Sequence, residues 1–393
     1  MLKRCGLGIL MVCWSILLFL PSEAAEPPTL KWQKTAGLEW DDEGWWISPT
    51  EDEGYIVVGW TEPTGDDKDV FLIKLNKAGD IEWERNLGGD KDDVGYYVCQ
   101  ASDGGYLVVG KTKSWGAGCF DLYIIKTDST GKERWHRVFG GKKNDGPAGF
   151  GALQETPDGG YLVAGYTWSY GRKEDIWLVK LNSFGNMVWY KIIGGKETDW
   201  ARSIIKCHDG NFIIVGKTVS SGAGRGDVYV VKVDADGNIL WEKTFGGSES
   251  DWANSILEIP DGGYLIVGGT RSYGNGESDT YMVRLDAEGN KLWERTFPES
   301  EGADWGLTIR QAQHGGFLIS LTLWRCCTGY DAELLRIDSE GKPLWKVVLG
   351  GHRDEALYCL QQTHDGGYIG VGETESYGSG GTDVYLVKLG PGL

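Results

Sequence analysis

Residues 250–298 read SDWANSILEIPDGGYLIVGGTRSYGNGESDTYMVRLDAEGNKLWERTFP. Four apolar segments stand out: ANSILEI, YLIVGGT, DTYMVRLD and KLWERTF. They are five to eight residues long and are separated by PDGG, RSYGNGES and AEGN. β-Branched and aromatic runs bounded by Gly, Asp and Asn are the pattern of short strands joined by tight turns. No stretch follows a helical period. The unit is predicted to be one four-stranded antiparallel meander, with strands a to d in chain order.

Moving outward from this stretch, the same unit returns along the chain. Trp32, Trp83, Trp135, Trp189, Trp241, Trp293 and Trp345 are spaced by 51, 52, 54, 52, 52 and 52 residues. Thr61, Thr112, Thr167, Thr218, Thr270, Thr322 and Thr374 each close a segment like GYLIVGGT. Asp69, Asp121, Asp175, Asp227, Asp279, Asp331 and Asp383 each open one like DTYMVRLD, with Lys or Arg five residues later. Seven units of four short strands predict an all-β, seven-bladed β-propeller, each blade buried by its neighbours. The first repeat element, LKWQKTAG at 30–37, is a lone strand d, and the last, DVYLVKLG at 383–390, is a strand c without its d. The N-terminal strand is therefore expected to complete the last blade and close the ring. A single propeller over 29–391 follows, with blades at about 40–88, 92–140, 146–194, 198–246, 250–298, 302–350 and 354–390 plus 30–37.

The pattern D-x-x-G-N-x-L-W after an apolar strand resembles the repeats of secreted bacterial β-propeller repeat proteins. It is also similar to repeats of quinoprotein dehydrogenases and of the outer-membrane assembly propeller lipoprotein. The resemblance spans 30–390 and implies the fold; propellers host many unrelated activities, so it does not imply one function.

Lys3 and Arg4 precede an apolar run to about Leu20, and Ser22-Glu23-Ala24 offers small residues at a cleavage site. Residues 1–24 are expected to be a secretory signal, and the protein secreted or periplasmic. Removing them leaves 37 basic against 56 acidic residues. That balance repels phosphates and anionic lipid, which excludes nucleic acid and membrane surfaces as primary partners. No later segment is apolar enough to span a membrane, and the expected state is a monomer.

A residue type that recurs in every blade is best explained by what every blade needs. The seven Trp are assigned to packing between blades, and the Thr and Asp to hydrogen bonds with the b–c loop. The strand-c Lys or Arg is expected to form an exposed pair with Glu84, Glu242 or Glu294 on strand d. Asp234-Ala235-Asp236-Gly237-Asn238 looks like the start of a calcium loop but lacks the downstream glutamate, and is read as a turn.

Function is expected where blades differ, on the face formed by the d–a and b–c connections around the channel. Candidate ligand-binding residues there are Trp115, Trp168, Tyr170, Trp200, Trp252, Tyr273, Trp305, Trp324, Tyr330 and Tyr377. Trp40 and Trp45 lie on the same side. Asp42, Asp93, Asp199, Asp251, Asp304 and Asp354 are expected beside them, where strand a enters the channel. Aromatic rings with a polar rim suit a sugar, a cationic group or a protein. The expected role is non-catalytic binding or scaffolding with a protein or glycan partner; the alternative is an extracellular enzyme acting on carbohydrate or using a quinone.

Catalytic signals are weak. His136, His208, His314, His352 and His364 fall in no zinc spacing, and no G-x-S-x-G elbow occurs. No catalytic or metal residue is assigned, and no cofactor is expected. Cys99, Cys207 and Cys359 occupy apolar slots and Cys119 lies in another blade, leaving the neighbours Cys326 and Cys327 as a candidate disulfide. Quinoprotein dehydrogenases stack such a vicinal disulfide on pyrroloquinoline quinone. They have eight blades and a calcium site beside the quinone, unlike the seven short units here, so neither quinone nor calcium is expected.

Overall fold

The computed structural model describes residues 26–64, 67–275, 277–297, 302–313, 315–325 and 329–391. The expected leader at 1–24 and the Cys326–Cys327 pair lie outside them. Their strands form seven antiparallel sheets, each ordered a-b-c-d from the inside outward. In blade 1 these are Asp42–Pro49, Tyr55–Thr61, Asp69–Leu75 and Ile81–Leu87. Leu30–Ala36 pairs antiparallel with Asp383–Leu389, so the N-terminal strand is the outer strand of the seventh blade and closes the ring. Among the described residues no helix is long and apolar enough to cross a membrane.

Strands b and c are almost wholly buried, whereas strand d alternates between exposed and buried positions. Both faces of a blade thus lie against other blades, and only its outer edge meets water. Each fully buried Val, Leu or Ile contributes about 1.5–3 kcal/mol. The strand-d tryptophans join blades in a fixed way. Trp83, Trp135, Trp189, Trp241 and Trp293 each cover the positive-φ glycine in the next blade's c–d turn: Gly131, Gly185, Gly237, Gly289 and Gly341. A side chain there would strain the turn and strike the indole.

The strand-c cations behave differently from the expected exposed pairs. Lys74, Lys126, Lys180, Lys232 and Lys388 are buried, and their partners are Asp52, Asp103, Asp158, Asp209 and Asp365 in the a–b turns. Arg284 bonds to Asp261 in the same way. Strand pleating explains the correction. Glu84 is paired in register with Ile73, one residue before Lys74, so the two side chains point to opposite faces. The turn aspartate therefore ties the a–b turn to strand c. Ion pairing and the Thr50 hydroxyl help hold the Asp52 carboxyl down at about 2, against the burial that raises it. Blade 6 has no such aspartate; Arg336 instead donates to the carbonyls of Gly315, Ile337 and Gln313.

The b–c loop is held as expected by Thr and Asp. Asp121 Oδ2 accepts from the amides of Ala117 and Gly118 at 2.8 and 3.1 Å, and Thr112 Oγ1 from that of Ser114 at 3.0 Å. Thr322 breaks the series. In the other blades the Thr that ends strand b pairs with the Asp that opens strand c, but Asp331 pairs with Leu323. Blade 6 is displaced by one residue, which also puts Leu321, and not Ser320, in the place of the usual strand-b glycine. Its strands b and c, Phe317–Arg325 and Gly329–Ile337, run on as a longer hairpin that pairs Trp324 with Tyr330.

Candidate functional site: the channel mouth

Strand a carries a β-bulge at the same place in six blades. The register skips Trp45, Tyr96, Arg202, Asn254, Leu307 and Tyr358, each three residues after the acid that opens the strand. A bulge re-aims the extra side chain, and here it is aimed at the axis. Trp45 of blade 1 stacks on Tyr358 of blade 7 at 4.7 Å and 11°. It also meets Tyr96 of blade 2 at 5.1 Å and Phe150 of blade 3 at 6.4 Å. One side chain touching four blades can only be at the centre of the ring.

In six blades a strand-a carbonyl lies close over the strand-b glycine, whereas blade 6 keeps the bulge with Leu321 in that place. A Cβ at Gly59, Gly110, Gly165, Gly216, Gly268 or Gly372 would collide with the strand-a carbonyl of Glu43, Val94, Gly146, Trp200, Trp252 or Ala356. Blade 3 departs further. Its inner strand is split into Asp145–Pro147 and Leu153–Glu155, and the segment between them pairs with blade 4 through Phe150 N to Arg202 O at 2.7 Å and Ile204 N to Gly151 O at 3.0 Å.

Two walls of opposite charge flank the aromatic plug. On one side, Glu43 and Glu373 form a like-charged pair, and burial raises the pKa of both. Trp60 Nε1 donates to Glu43 at 3.0 Å and the Tyr358 hydroxyl donates to Glu373. Burial and the neighbouring Glu43 charge push the Glu373 carboxyl up to about 7, so the pair holds a proton near neutral pH. On the other side lies a cavity of about 210 Å³ lined by Tyr96, Lys111, Pro147, Gly149, Tyr166, Glu174, Trp200, Ala201 and Arg202. Burial lowers the Arg202 and Lys111 pKa values and raises that of Glu174. Arg202 lines the cavity and its side chain is exposed, because it faces the channel.

The structure distributes the candidate aromatics over two zones. Trp200 lines the cavity, and Trp168 lies on the same side near Glu174. Trp252 lies across Gly269 on the same strand pair, and Trp305 packs on Tyr330 at 5.7 Å. Trp115, Tyr170, Tyr273 and Tyr377 fold outward onto strand c of their own blades, against Tyr123, Trp177, Tyr281 and Tyr385. The hydroxyls of Tyr170, Tyr273 and Tyr377 donate to the carbonyls of Gly140, Gly246 and Gly350 of the preceding blade. Trp324 stands half-exposed on the longer hairpin of blade 6.

The entering acids are not displayed on this face. Asp42, Asp93, Asp199, Asp251 and Asp304 are buried. Asp93, Asp199 and Asp251 accept from the amides of Gly89, Gly195 and Gly247, and from serine hydroxyls of the b–c loop. The series also includes Asp145, and in blade 7 its member is Glu355, not Asp354. Asp354 instead accepts the Tyr330 amide at 2.9 Å. Glu43, Glu373, Tyr96, Lys111, Tyr166, Glu174 and Arg202 were not among the sequence candidates. One signal could have found Tyr96 and Arg202: the residue three after the entering acid differs in chemistry from blade to blade. Cys207 and Cys359 are buried thiols as expected, Cys99 is half-buried and Cys119 exposed. Among the described residues no cluster of three His, Cys, Asp or Glu side chains could hold a metal ion.

Residues 259–291 match the family described as domain of unknown function (DUF5122) beta-propeller, a stretch shorter than one blade. No curated protein matches the chain. Among solved structures, the chain is similar to the Pan2 WD40 domain of Neurospora crassa at 10% identity, TM-score 0.54, with 88% of each chain covered. It is similar to a protein of unknown function from Dyadobacter fermentans at 11% identity, TM-score 0.52, covering 92% of this chain and 99% of that one. It also resembles puromycin hydrolase at 14% identity, TM-score 0.52, covering 84% of this chain and 50% of that one. At such identities the shared property is the propeller fold.

Proposed function

We propose that this chain is a secreted or periplasmic binding propeller that takes a glycan or peptide at the channel mouth, without catalysis. The observation that carries this reading is the bulge series: one backbone device, repeated in six blades, delivers five kinds of side chain to the axis, Trp, Tyr, Arg, Asn and Leu. The cavity beside Arg202 and Trp200 is the open part of that ring. The leader-like N-terminus supports the destination. Glu43 and Glu373 do not fit the alternative of glycoside hydrolysis. Both are already engaged within the protein, Glu43 by the Trp60 indole and Glu373 by the Tyr358 hydroxyl, rather than standing free to flank a scissile bond.

A thermal-shift screen of neutral and acidic oligosaccharides and short peptides tests the reading. A ligand at about 100 times its Kd stabilises by about 2.7 kcal/mol. The expected result is a shift that Trp200→Ala abolishes while the unliganded melting temperature stays within a few degrees. A shift that Trp200→Ala leaves intact would place binding elsewhere on the molecule.

A further inference from the structure

The cavity on the cationic wall runs against the charge of the whole molecule, which is −18. Lys111 enters it from blade 2 and Arg202 from blade 4. Lys111 Nζ lies 5.2 Å from the Tyr96 ring centre and 4.5 Å from that of Phe120. An Arg202 Nη1 lies 3.4 Å from where a Cβ of Gly149 would stand, so the guanidinium rests over bare backbone. Neither cation forms an ion pair among the described residues, while the strand-c cations of six blades all do. Glu174, the one carboxylate lining the cavity, lies close enough to Arg202 for the two charges to interact, and so balances only part of the positive charge. The lining thus carries two cations against one carboxylate, and an anion entering the cavity would balance the excess positive charge.

The walls narrow the choice of anion. Trp200, Tyr96 and Tyr166 offer ring faces and two phenol hydroxyls, and Glu174 keeps acceptor capacity for a hydroxyl. A volume of about 210 Å³ is below the usual range for drug-sized ligands and suits a single substituted ring. Taking the channel mouth as the binding site, we propose that the cavity binds a carboxylate-bearing pyranose, a hexuronate unit of an acidic glycan. Arg202 and Lys111 hold the carboxylate, Trp200 packs on the sugar ring, and Glu174 with the tyrosine hydroxyls orders the ring hydroxyls. A guanidinium fork matches a carboxylate in two parallel hydrogen bonds, which the flexible ammonium of Lys111 supplements as a point charge.

Isothermal titration of the full chain with D-glucuronate, D-galacturonate, methyl glucoside, acetate and inorganic phosphate tests this. One or both uronates are expected to bind, with methyl glucoside and acetate at least about tenfold weaker. Arg202→Gln is expected to weaken uronate binding at least about tenfold and Lys111→Gln at least about fivefold, with melting temperatures unchanged or raised. Absence of uronate binding would overturn the proposal. So would equal binding of methyl glucoside, phosphate binding as tight as uronate, or affinity indifferent to Arg202→Gln. A neutral sugar or peptide whose binding depends on Trp200 would overturn the acidic-sugar assignment alone and leave the channel-mouth reading standing. Failure of the whole screen together with this titration would sink both.

Discussion

The molecule holds two sets of cations in contrasting surroundings, one buried and one facing the channel. The strand-c lysines and arginines near the a–b turns recur from blade to blade, and six of them pair with a turn carboxylate. Arg202 at the channel mouth occurs in one blade, Lys111 recurs as Lys217 in blade 4, and neither Arg202 nor Lys111 has such a partner among the described residues. The first set is a solved structural problem, repeated because each blade poses it. The second is an excess of positive charge that stability alone does not explain. Repetition with satisfied partners marks scaffold, and a lone unsatisfied group at a scaffold position marks function.

The scaffold side of this contrast should break hardest. Gly216 faces the carbonyl of Trp200 across the bulge, with no room for a Cβ. Gly216→Val is expected to cost about 3 kcal/mol or more in chemical denaturation, because both the side chain and the bulge must move. Normal stability in that variant would mean the bulge does not fix strand a. Asp209→Ala comes next. It leaves buried Lys232 with the Tyr264 hydroxyl at 3.0 Å as its remaining side-chain partner. Asp209 is half-exposed, so solvent already screens the pair, and a loss of about 2 kcal/mol is expected. Arg202→Met, by contrast, should leave stability within about 0.5 kcal/mol, since it removes an exposed charge that forms no ion pair among the described residues. Equal losses in the two variants would erase the distinction drawn here.

The repeat made the architecture legible, because the Trp period, the turn glycines and the half-blades at 30–37 and 383–390 are all one-dimensional features. The site was less so. Which of two faces a strand-d glutamate or a strand-c lysine occupies depends on register, and a bulge shifts that register by one. Residue type alone therefore does not separate Asp52 from Glu84 as the partner of Lys74, nor mark Tyr96 and Arg202 as channel residues. Blade 6 shows the same limit. Its Thr322 keeps the 52-residue spacing from Thr270, yet pairing puts Leu323 in the structural slot. Trp115, Tyr170, Tyr273 and Tyr377 were selected for residue type, and only three-dimensional packing shows them lying against strand c.

The opposite wall of the channel gives a pH test. The Glu373 carboxyl is raised to about 7 in the folded protein from an ordinary value of 4.5. A raised carboxyl favours folding while protonated, so its contribution is complete below about pH 4.5 and is lost as pH rises through about 7. Melting temperature is expected to fall between pH 5 and pH 8. Glu373→Gln, which keeps the Tyr358 hydroxyl near an acceptor and abolishes the like-charge contact, should flatten that slope. An unchanged slope in Glu373→Gln would assign the pH dependence to other groups.

The smallest expected effect concerns the outward aromatics. The Tyr273 hydroxyl donates to Gly246 O at 3.0 Å across the blade junction, while its ring packs on Tyr281. The ring supplies most of the contact and the hydroxyl is near water. Tyr273→Phe should therefore cost only about 0.5 kcal/mol, and should leave ligand affinity untouched. Trp200→Ala should do the opposite, with affinity lost and stability nearly kept. If Tyr273→Phe instead abolished binding at unchanged stability, the ligand would reach the outer loops, and the site would extend from the channel mouth across the b–c face.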